Sequence, residues 1–112
     1  MYNLNSLAEA INKNAHEHGF CDWDETTDAY MNRACANLHD EVSELHESFR
    51  TGRLYELTEK PIELTYLEEE LADIIIRALD TAQELGVDIH KAITVKMEYN
   101  RTRPYRHGNK RS

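Results

Sequence analysis

The stretch LTYLEEELADIIIRALDTAQELG, residues 64–86, decides the fold. Its apolar residues recur every three or four positions and predict one wide helical face, made of Leu67, Leu71, Ile74, Ile75, Ala78, Leu79, Ala82 and Leu85. Gly86 follows this face, and glycine commonly ends a helix in the left-handed conformation. We therefore predict a helix from about Leu64 to Leu85, with a face wider than one neighbouring helix can cover.

Similar spacing predicts two helices before this one. Ser6-Leu7-Ala8-Glu9 has the pattern of a capping box, and Gly19 ends the helix that it opens. A second, longer helix runs from Thr26 or Thr27 to about Arg50. Its apolar stripe consists of Tyr30, Ala34, Leu38, Val42, Leu45 and Phe49. Residues 51–63 contain Gly52 and Pro61 without a clear period, which predicts a loop.

A fourth helix is predicted after Asp88, as its N-cap, and through about Asn100, with Pro104 beyond it. We expect its apolar residues to point inward, namely Ile89, Ala92, Ile93 and Met97. No segment longer than four residues alternates apolar and polar side chains, so strands are not expected. The sequence thus predicts one all-α domain over residues 1–112, resembling a four-helix bundle, with a basic tail over about residues 101–112.

Charge excludes several classes of protein. The chain has 21 acidic and 13 basic residues and a formal net charge of −8, which disfavours a binder of nucleic acid polymers. No apolar run approaches the roughly 18 residues of a membrane span, and no signal peptide is evident, so we expect a cytoplasmic protein. Residues 96–112 hold six bases and one acid, against seven bases and 20 acids before them. This basic end is either a solvated tail or a partner for a polyanion.

Two pairs of acids stand beside the apolar stripes. Glu41 and Glu44 are three residues apart on the second helix, as Glu70 and Asp73 are on the third, so each pair shares a helical face. If the stripes pack together, four carboxylates converge and raise one another's pKa. Mg²⁺ would remove that cost, since it prefers oxygen ligands. The alternative is that these acids are only the solvated flanks of the stripes.

The histidines argue against a redox di-iron bundle. Such bundles use Glu-x-x-His pairs. None of the six histidines has a glutamate three residues before it. Oxygen ligation of a hard cation is therefore favoured over iron.

The order E-x-x-E, 25 intervening residues, then E-x-x-D resembles the signature of the MazG-like all-α nucleoside triphosphate pyrophosphohydrolases. That superfamily includes dimeric dUTPases and dCTP pyrophosphatases. Residues 70–77, ELADIIIR, are similar to its second metal-binding helix, and residues 96–108, KMEYNRTRPYRHG, to its closing segment. The resemblance covers about residues 35–111.

The resemblance implies hydrolysis of an NTP or dNTP to the monophosphate and pyrophosphate. It implies Mg²⁺, or Mn²⁺ in its place, held by Glu41, Glu44, Glu70 and Asp73. Glu41 and Glu44 would also take part in catalysis, by activating water through the metal. The phosphates would be bound by Lys96, Asn100 and Arg103, which are spaced to share one face of the fourth helix and its exit.

Two further residues are candidates for contact with the base. Trp23 lies in the link before the second helix and could stack on a nucleobase, although a lone tryptophan is more often a core residue. His39 comes two residues before Glu41, and its ordinary interpretation is a surface histidine. Arg77, one turn after Asp73, would pair with an acid of the metal site or contact substrate.

The width of the third helix's apolar face predicts a homodimer or homotetramer, and the resemblance implies the same. Two other functions stay open at this point. One is a related pyrophosphohydrolase that acts on a phosphoribosyl-type compound. The other is a non-catalytic four-helix interaction module that has kept the fold.

Overall fold

Four helices make up the part of the chain that the computed structural model describes, residues 3–19 and 25–104. They are α1 (Leu4–Glu17), α2 (Thr27–Arg50), α3 (Tyr66–Glu84) and α4 (Ile89–Thr102). These ranges contain no strand, only one isolated bridge between Leu57 and Thr65. The all-α prediction is confirmed for them, and the arrangement is compatible with a helical bundle. None of these helices has the length and apolarity needed to cross a membrane.

Three helix starts agree with the sequence and one does not. The side chains of Thr26, Thr65 and Asp88 cap α2, α3 and α4, and Thr65 forms a full capping box with Glu68. The first helix, however, is capped by Asn3 rather than Ser6, so the capping box predicted at Ser6 was wrong. The reason is tertiary, because the extra turn places Asn5 against the start of α4. There the Asn5 amide donates to Asp88 over 2.8 Å, and its oxygen accepts from the backbone N–H of His90.

Helix α3 lies at the centre and packs against both α1 and α2. The buried apolar residues at these contacts are small, namely Ala8, Ala34 and Ala82, together with Leu79. Small side chains let helix backbones approach closely. Tyr30 interacts with Thr81 near one end of the α2–α3 contact, and Glu41 meets Arg77 further along. The two helices are therefore antiparallel, which brings the E-x-x-E pair toward the E-x-x-D pair.

Helix α4 contacts α1 and α3, and within the described ranges it does not contact α2. The prediction that its apolar residues point inward was wrong for Ala92, Ile93 and Met97, and Met97 is 65% exposed. Only Ile89 of that set is half-buried. Within the described ranges, no further helix lies over the exposed side of α4. The Cα radius of gyration is 16.6 Å, compared with roughly 13 Å for a compact domain of this length.

The segment between α2 and α3 is held against the start of α3. Gly52 takes a φ of +73°, a left-handed conformation that favours glycine, and so ends α2. The backbone N–H of Tyr66 then donates to the carbonyl of Glu56, and that of Leu67 to Leu54, over 3.0 and 2.9 Å. These bonds occupy first-turn N–H groups of α3 that have no partner inside the helix. They hold the first turn of α3 in place, one turn before Glu70.

Candidate metal centre

Three carboxylates converge where α2 meets α3. Glu41, Glu44 and Glu70 each offer an oxygen within 4.8 Å of the others, and we call these three residues the acid cluster. Glu41 and Glu70 are 9% and 8% exposed, whereas Glu44 is exposed. Asp73, the fourth predicted ligand, is half-buried on α3 beside the cluster but is not among the three that converge within this distance. The structure thus brings together three of the four predicted carboxylates.

The pKa values of these acids are raised by their crowding. A hydrogen bond with Glu41, followed by burial and by the neighbouring negative charges, raises the pKa of Glu44 to about 6. Burial, and then the charge of Asp73, raises the pKa of Glu70. Burial, and then the charge of Glu41, raises the pKa of Asp73. Each shift means that the ionised cluster is costly in this environment, so a cation placed there would lower its free energy.

Two oxygens of the acid cluster are inaccessible to solvent and have no hydrogen-bond partner in the described part of the chain. They are Oε2 of Glu41 and Oε2 of Glu70, one from each helix. A buried acceptor without a partner costs about 1–3 kcal/mol, and more when it is charged. Among the described residues, this group of possible ligands consists of three carboxylates with no histidine or cysteine, a donor set that suits Mg²⁺ or Mn²⁺. The residues present therefore fit the hard divalent cation that the sequence predicts.

Two cations lie next to these acids. The Nε of Arg77 donates to Oε1 of Glu41 over 3.3 Å, so of the two predicted roles of this arginine the structure shows the pairing with an acid. Lys60, from the segment between α2 and α3, pairs with Glu69, and the same interaction raises the pKa of Lys60. The positive charges of Lys60 and Arg77 partly offset the burial and the neighbouring negative charges that raise the pKa of Asp73.

A cavity of about 930 Å³ opens between α1, α2 and α3 and reaches the acid cluster. Glu41, Asp73 and Arg77 line its edge. The rest of the lining includes apolar, amide and charged side chains, namely Ile11, Ala34, Ile76, Asn14, Asn37, Glu25, Arg33 and Asp80. Sequence reasoning did not identify Asn37 or Arg33 as lining residues. Their signal was available, since Arg33, Asn37 and Glu41 follow one another at intervals of four on α2. The contribution of α1 had no such signal, because it depends on how α1 crosses α3.

The predicted phosphate-binding residues gather around one aromatic ring on α4. The Lys96 Nζ lies 4.7 Å, and the Arg103 Cζ 5.6 Å, from the centre of the Tyr99 ring. The Asn100 Oδ1 and Arg103 Nε atoms are shielded from solvent and find no hydrogen-bond partner within the described ranges. The three predicted residues thus lie close together. Because α4 does not contact α2 in these ranges, however, they are not brought onto the Glu41–Glu44 pair within one chain.

The two candidates for base contact stand apart from this geometry. His39 is exposed on α2. Trp23 lies outside the described residues, as do residues 105–112 of the predicted basic tail. The first residues of that tail, Arg101 and Thr102, belong to α4.

No significant match to this chain was found among protein-family models, curated proteins or solved structures.

Proposed function

We propose that this protein is a Mg²⁺-dependent nucleoside triphosphate pyrophosphohydrolase, which converts an NTP or dNTP and water into the monophosphate and pyrophosphate. The observation that carries the proposal is the convergence of Glu41, Glu44 and Glu70. Within the described ranges two of them have buried oxygens without a hydrogen-bond partner, and Glu41 also lines the cavity of about 930 Å³. A metal-binding acid cluster beside a cavity is the arrangement that hydrolysis of a phosphoanhydride requires. The resemblance of the E-x-x-E and E-x-x-D pairs to MazG-like enzymes supports the same reaction.

In this proposal Glu41, Glu44 and Glu70 hold Mg²⁺ or Mn²⁺, with Asp73 beside them as the fourth carboxylate. The bound ion would neutralise phosphate charge and lower the pKa of water. The raised pKa of Glu44, about 6, belongs to the site without an ion, and a divalent cation bound there would lower it and favour the ionised carboxylate. The chain's own contribution is thus a set of oxygens held in place by two antiparallel helices.

The nucleoside would occupy the cavity between α1, α2 and α3. Its volume is within the range of small-molecule sites, about 300–1,000 Å³. Ile11, Ala34 and Ile76 offer apolar surface for a planar base, and the amides of Asn14 and Asn37 offer both donors and acceptors to its edge. The phosphates would then extend toward Glu41 and Asp73 at the cavity's edge.

We also propose that the working form is a homodimer or homotetramer. Large apolar side chains remain exposed in the single chain, such as Phe49 (63%), Ile75 (55%) and Met97 (65%). Exposed apolar surface of this kind typically marks an interaction site. A second copy would also offer a route for Lys96, Asn100 and Arg103 to reach the phosphates, since α4 does not contact its own α2 in the described ranges.

The reaction is tested by phosphorus NMR of the purified protein with Mg²⁺ and each common NTP and dNTP. The matched variant is Glu44→Gln, which removes one charge of the acid cluster at nearly constant volume. Glu9→Gln, the same change at an exposed position of α1, is the control. We expect pyrophosphate and monophosphate from the wild type and the control, and none from Glu44→Gln.

Other products would identify other functions. Orthophosphate would mean cleavage at a different phosphate and would contradict the proposal. Absence of any product would favour either a phosphoribosyl-type substrate or a non-catalytic module. Equal rates for Glu44→Gln and the wild type would refute the metal assignment.

A further inference from the structure

Arg77 combines three features that the proposed metal site does not use. It lies at the edge of the cavity, it contacts an acid of the cluster, and it is 47% exposed while the Glu41 side chain is only 11% exposed. Arginine is suited to bind two oxygen-bearing groups at once, because its planar guanidinium carries five N–H donors.

Only the inner nitrogen of Arg77 is engaged in the described part of the chain. Its Nε donates to Oε1 of Glu41 over 3.3 Å, and within these ranges its two terminal nitrogens have no hydrogen-bond partner. Glu41 is engaged in a complementary way, since its Oε1 accepts from Arg77 whereas its buried Oε2 has no hydrogen-bond partner among the described residues. Within the described ranges, one hydrogen bond therefore joins Arg77 to Glu41, while the terminal nitrogens of Arg77 and Oε2 of Glu41 have no hydrogen-bond partner.

We propose that Arg77 bridges the metal site and the substrate, orienting Glu41 through Nε and binding a phosphate of the nucleotide through its terminal nitrogens. This inference rests on the proposed function, because the phosphate is that of the nucleotide in the cavity. The fork of the two terminal N–H groups matches two phosphate oxygens. Oε2 of Glu41 stays available to the cation in the same arrangement, so one arginine can orient a metal ligand and hold the substrate.

The position of Arg77 on α3 favours this role. It follows Asp73 by one helical turn, so both face the cavity, and its positive charge is one of the influences that lower the pKa of Asp73. A phosphate placed there would meet a guanidinium instead of the carboxylates alone. Unlike Lys96, Asn100 and Arg103, Arg77 is next to the acid cluster within a single chain.

The test uses Arg77→Gln and Arg77→Lys, with Arg50→Gln as the control. Arg50 is also an arginine that pairs with a glutamate, but its partner is the exposed Glu47. We measure three quantities for each protein: KM and kcat for the best nucleotide, pyrophosphate binding by calorimetry with Mg²⁺ present, and Mn²⁺ binding alone by electron paramagnetic resonance. Pyrophosphate carries no base, so its binding reports on phosphate contacts only.

For Arg77→Gln we expect KM and the dissociation constant of pyrophosphate to rise at least about tenfold, as loss of a charge-assisted contact predicts. The affinity for Mn²⁺ alone should change less than about threefold, since Oε2 of Glu41 is not the atom that Arg77 holds. Arg77→Lys should remain defective, because an ammonium is a point charge and cannot contact both groups as a fork does. Arg50→Gln should match the wild type.

Two results would contradict the proposal that Arg77 contacts both Glu41 and a phosphate. One is unchanged pyrophosphate binding in Arg77→Gln, or in Arg77→Lys if the glutamine variant does not fold. The other is a loss of Mn²⁺ affinity as large as the loss of pyrophosphate affinity, because Arg77 would then act only through Glu41. Failure of the proposed function is distinguishable, since it would appear as a wild type that hydrolyses no nucleotide, whereas pyrophosphate binding requires no turnover.

Discussion

Two regions of the molecule differ in which side chains they bury and which they expose. The first is the contact between α2 and α3, and the second is the outer surface of α3 and α4. At the first, two glutamates are buried to more than nine-tenths, with oxygens that have no partner in the described ranges. At the second, Ile75, Val95 and Met97 are each more than half exposed. Soluble proteins ordinarily bury the apolar groups and expose the charged ones. Each region is therefore costly by itself, and each indicates what would compensate it.

The two kinds of cost call for different compensation. Buried carboxylates are compensated by a cation, which supplies charge to a fixed set of oxygens. Exposed apolar side chains are compensated by a second surface, which removes them from water at about 25 cal/mol per Å². The first region is the candidate metal site, and the second is the surface at which we propose self-association. Substitutions can alter either region without changing the other.

The largest expected effect is on turnover. Asp73→Asn should lower the hydrolysis rate at least about a hundredfold, because one negative charge is lost beside the acid cluster at similar volume. Circular dichroism should show unchanged helix content. Asp40→Asn is the matched control, since Asp40 is adjacent in sequence to Glu41 but exposed. A rate for Asp73→Asn close to that of the control would exclude Asp73 from the site.

The next largest effect is on assembly. Placing charges on the exposed apolar residues, with Ile75→Glu and Met97→Glu together, should convert a dimer or tetramer into a monomer. Light scattering coupled to gel filtration measures the mass directly. Ser6→Glu adds the same kind of charge at an exposed polar position and should leave the mass unchanged. A wild type that is already monomeric at high concentration would contradict the interpretation of these surfaces.

A moderate effect is expected at α4. Lys96→Ala should raise the KM for the nucleotide about tenfold, as loss of one charged phosphate contact predicts, and leave Mn²⁺ affinity nearly unchanged. Lys91→Ala removes the same charge from an exposed position near the start of the same helix. Equal KM values for the two variants would show that Lys96 belongs to a solvated basic surface.

What the sequence predicted, and what it did not, follows from the range of the interactions. The cap at Asp88, the start of α2 at Thr26 or Thr27 and the shared faces of the acid pairs depend on residues within one or two turns, and they were predicted. The start of α1 was not, because it depends on Asn5 reaching Asp88, 83 positions away. The burial of the α4 stripe was predicted wrongly for a related reason. Periodicity gives the face of a helix, but not whether a neighbour covers it.

The site shows the same division. Three-residue spacing was enough to expect Glu41, Glu44 and Glu70 in one place, since antiparallel packing of two stripes brings their edges together. The cavity was not expected, because its third wall is α1 and no local pattern specifies that crossing. The partner of Arg77 was left undecided for the same reason. Its identity depends on the register between α2 and α3, which the structure shows through the 3.3 Å contact with Glu41.

The smallest expected effect is on the free energy of unfolding. Its sign shows whether Glu44 lies among crowded carboxylates or behaves as an ordinary surface acid. The pKa of Glu44 is raised from 4.5 to about 6, so the folded state holds this proton more tightly than the unfolded state. Its favourable contribution is therefore complete below about pH 4.5 and is lost as the pH rises through 6. The full shift corresponds to about 2 kcal/mol, and solvent screening at this exposed carboxyl reduces that to about 1 kcal/mol.

Without metal, Glu44→Gln should consequently be more stable than the wild type by about 1 kcal/mol at pH 7.5, and the difference should shrink toward pH 4.5. Urea unfolding in chelator at both pH values measures it, with Glu9→Gln as the reference. Added Mg²⁺ should stabilise the wild type at pH 7.5 and stabilise Glu44→Gln less, because only the wild type retains the full acid cluster. If the difference in the free energy of unfolding between Glu44→Gln and the wild type did not depend on pH, Glu44 would behave as a solvated acid. The contrast between buried charge and exposed apolar surface would then rest on Glu41 and Glu70 alone.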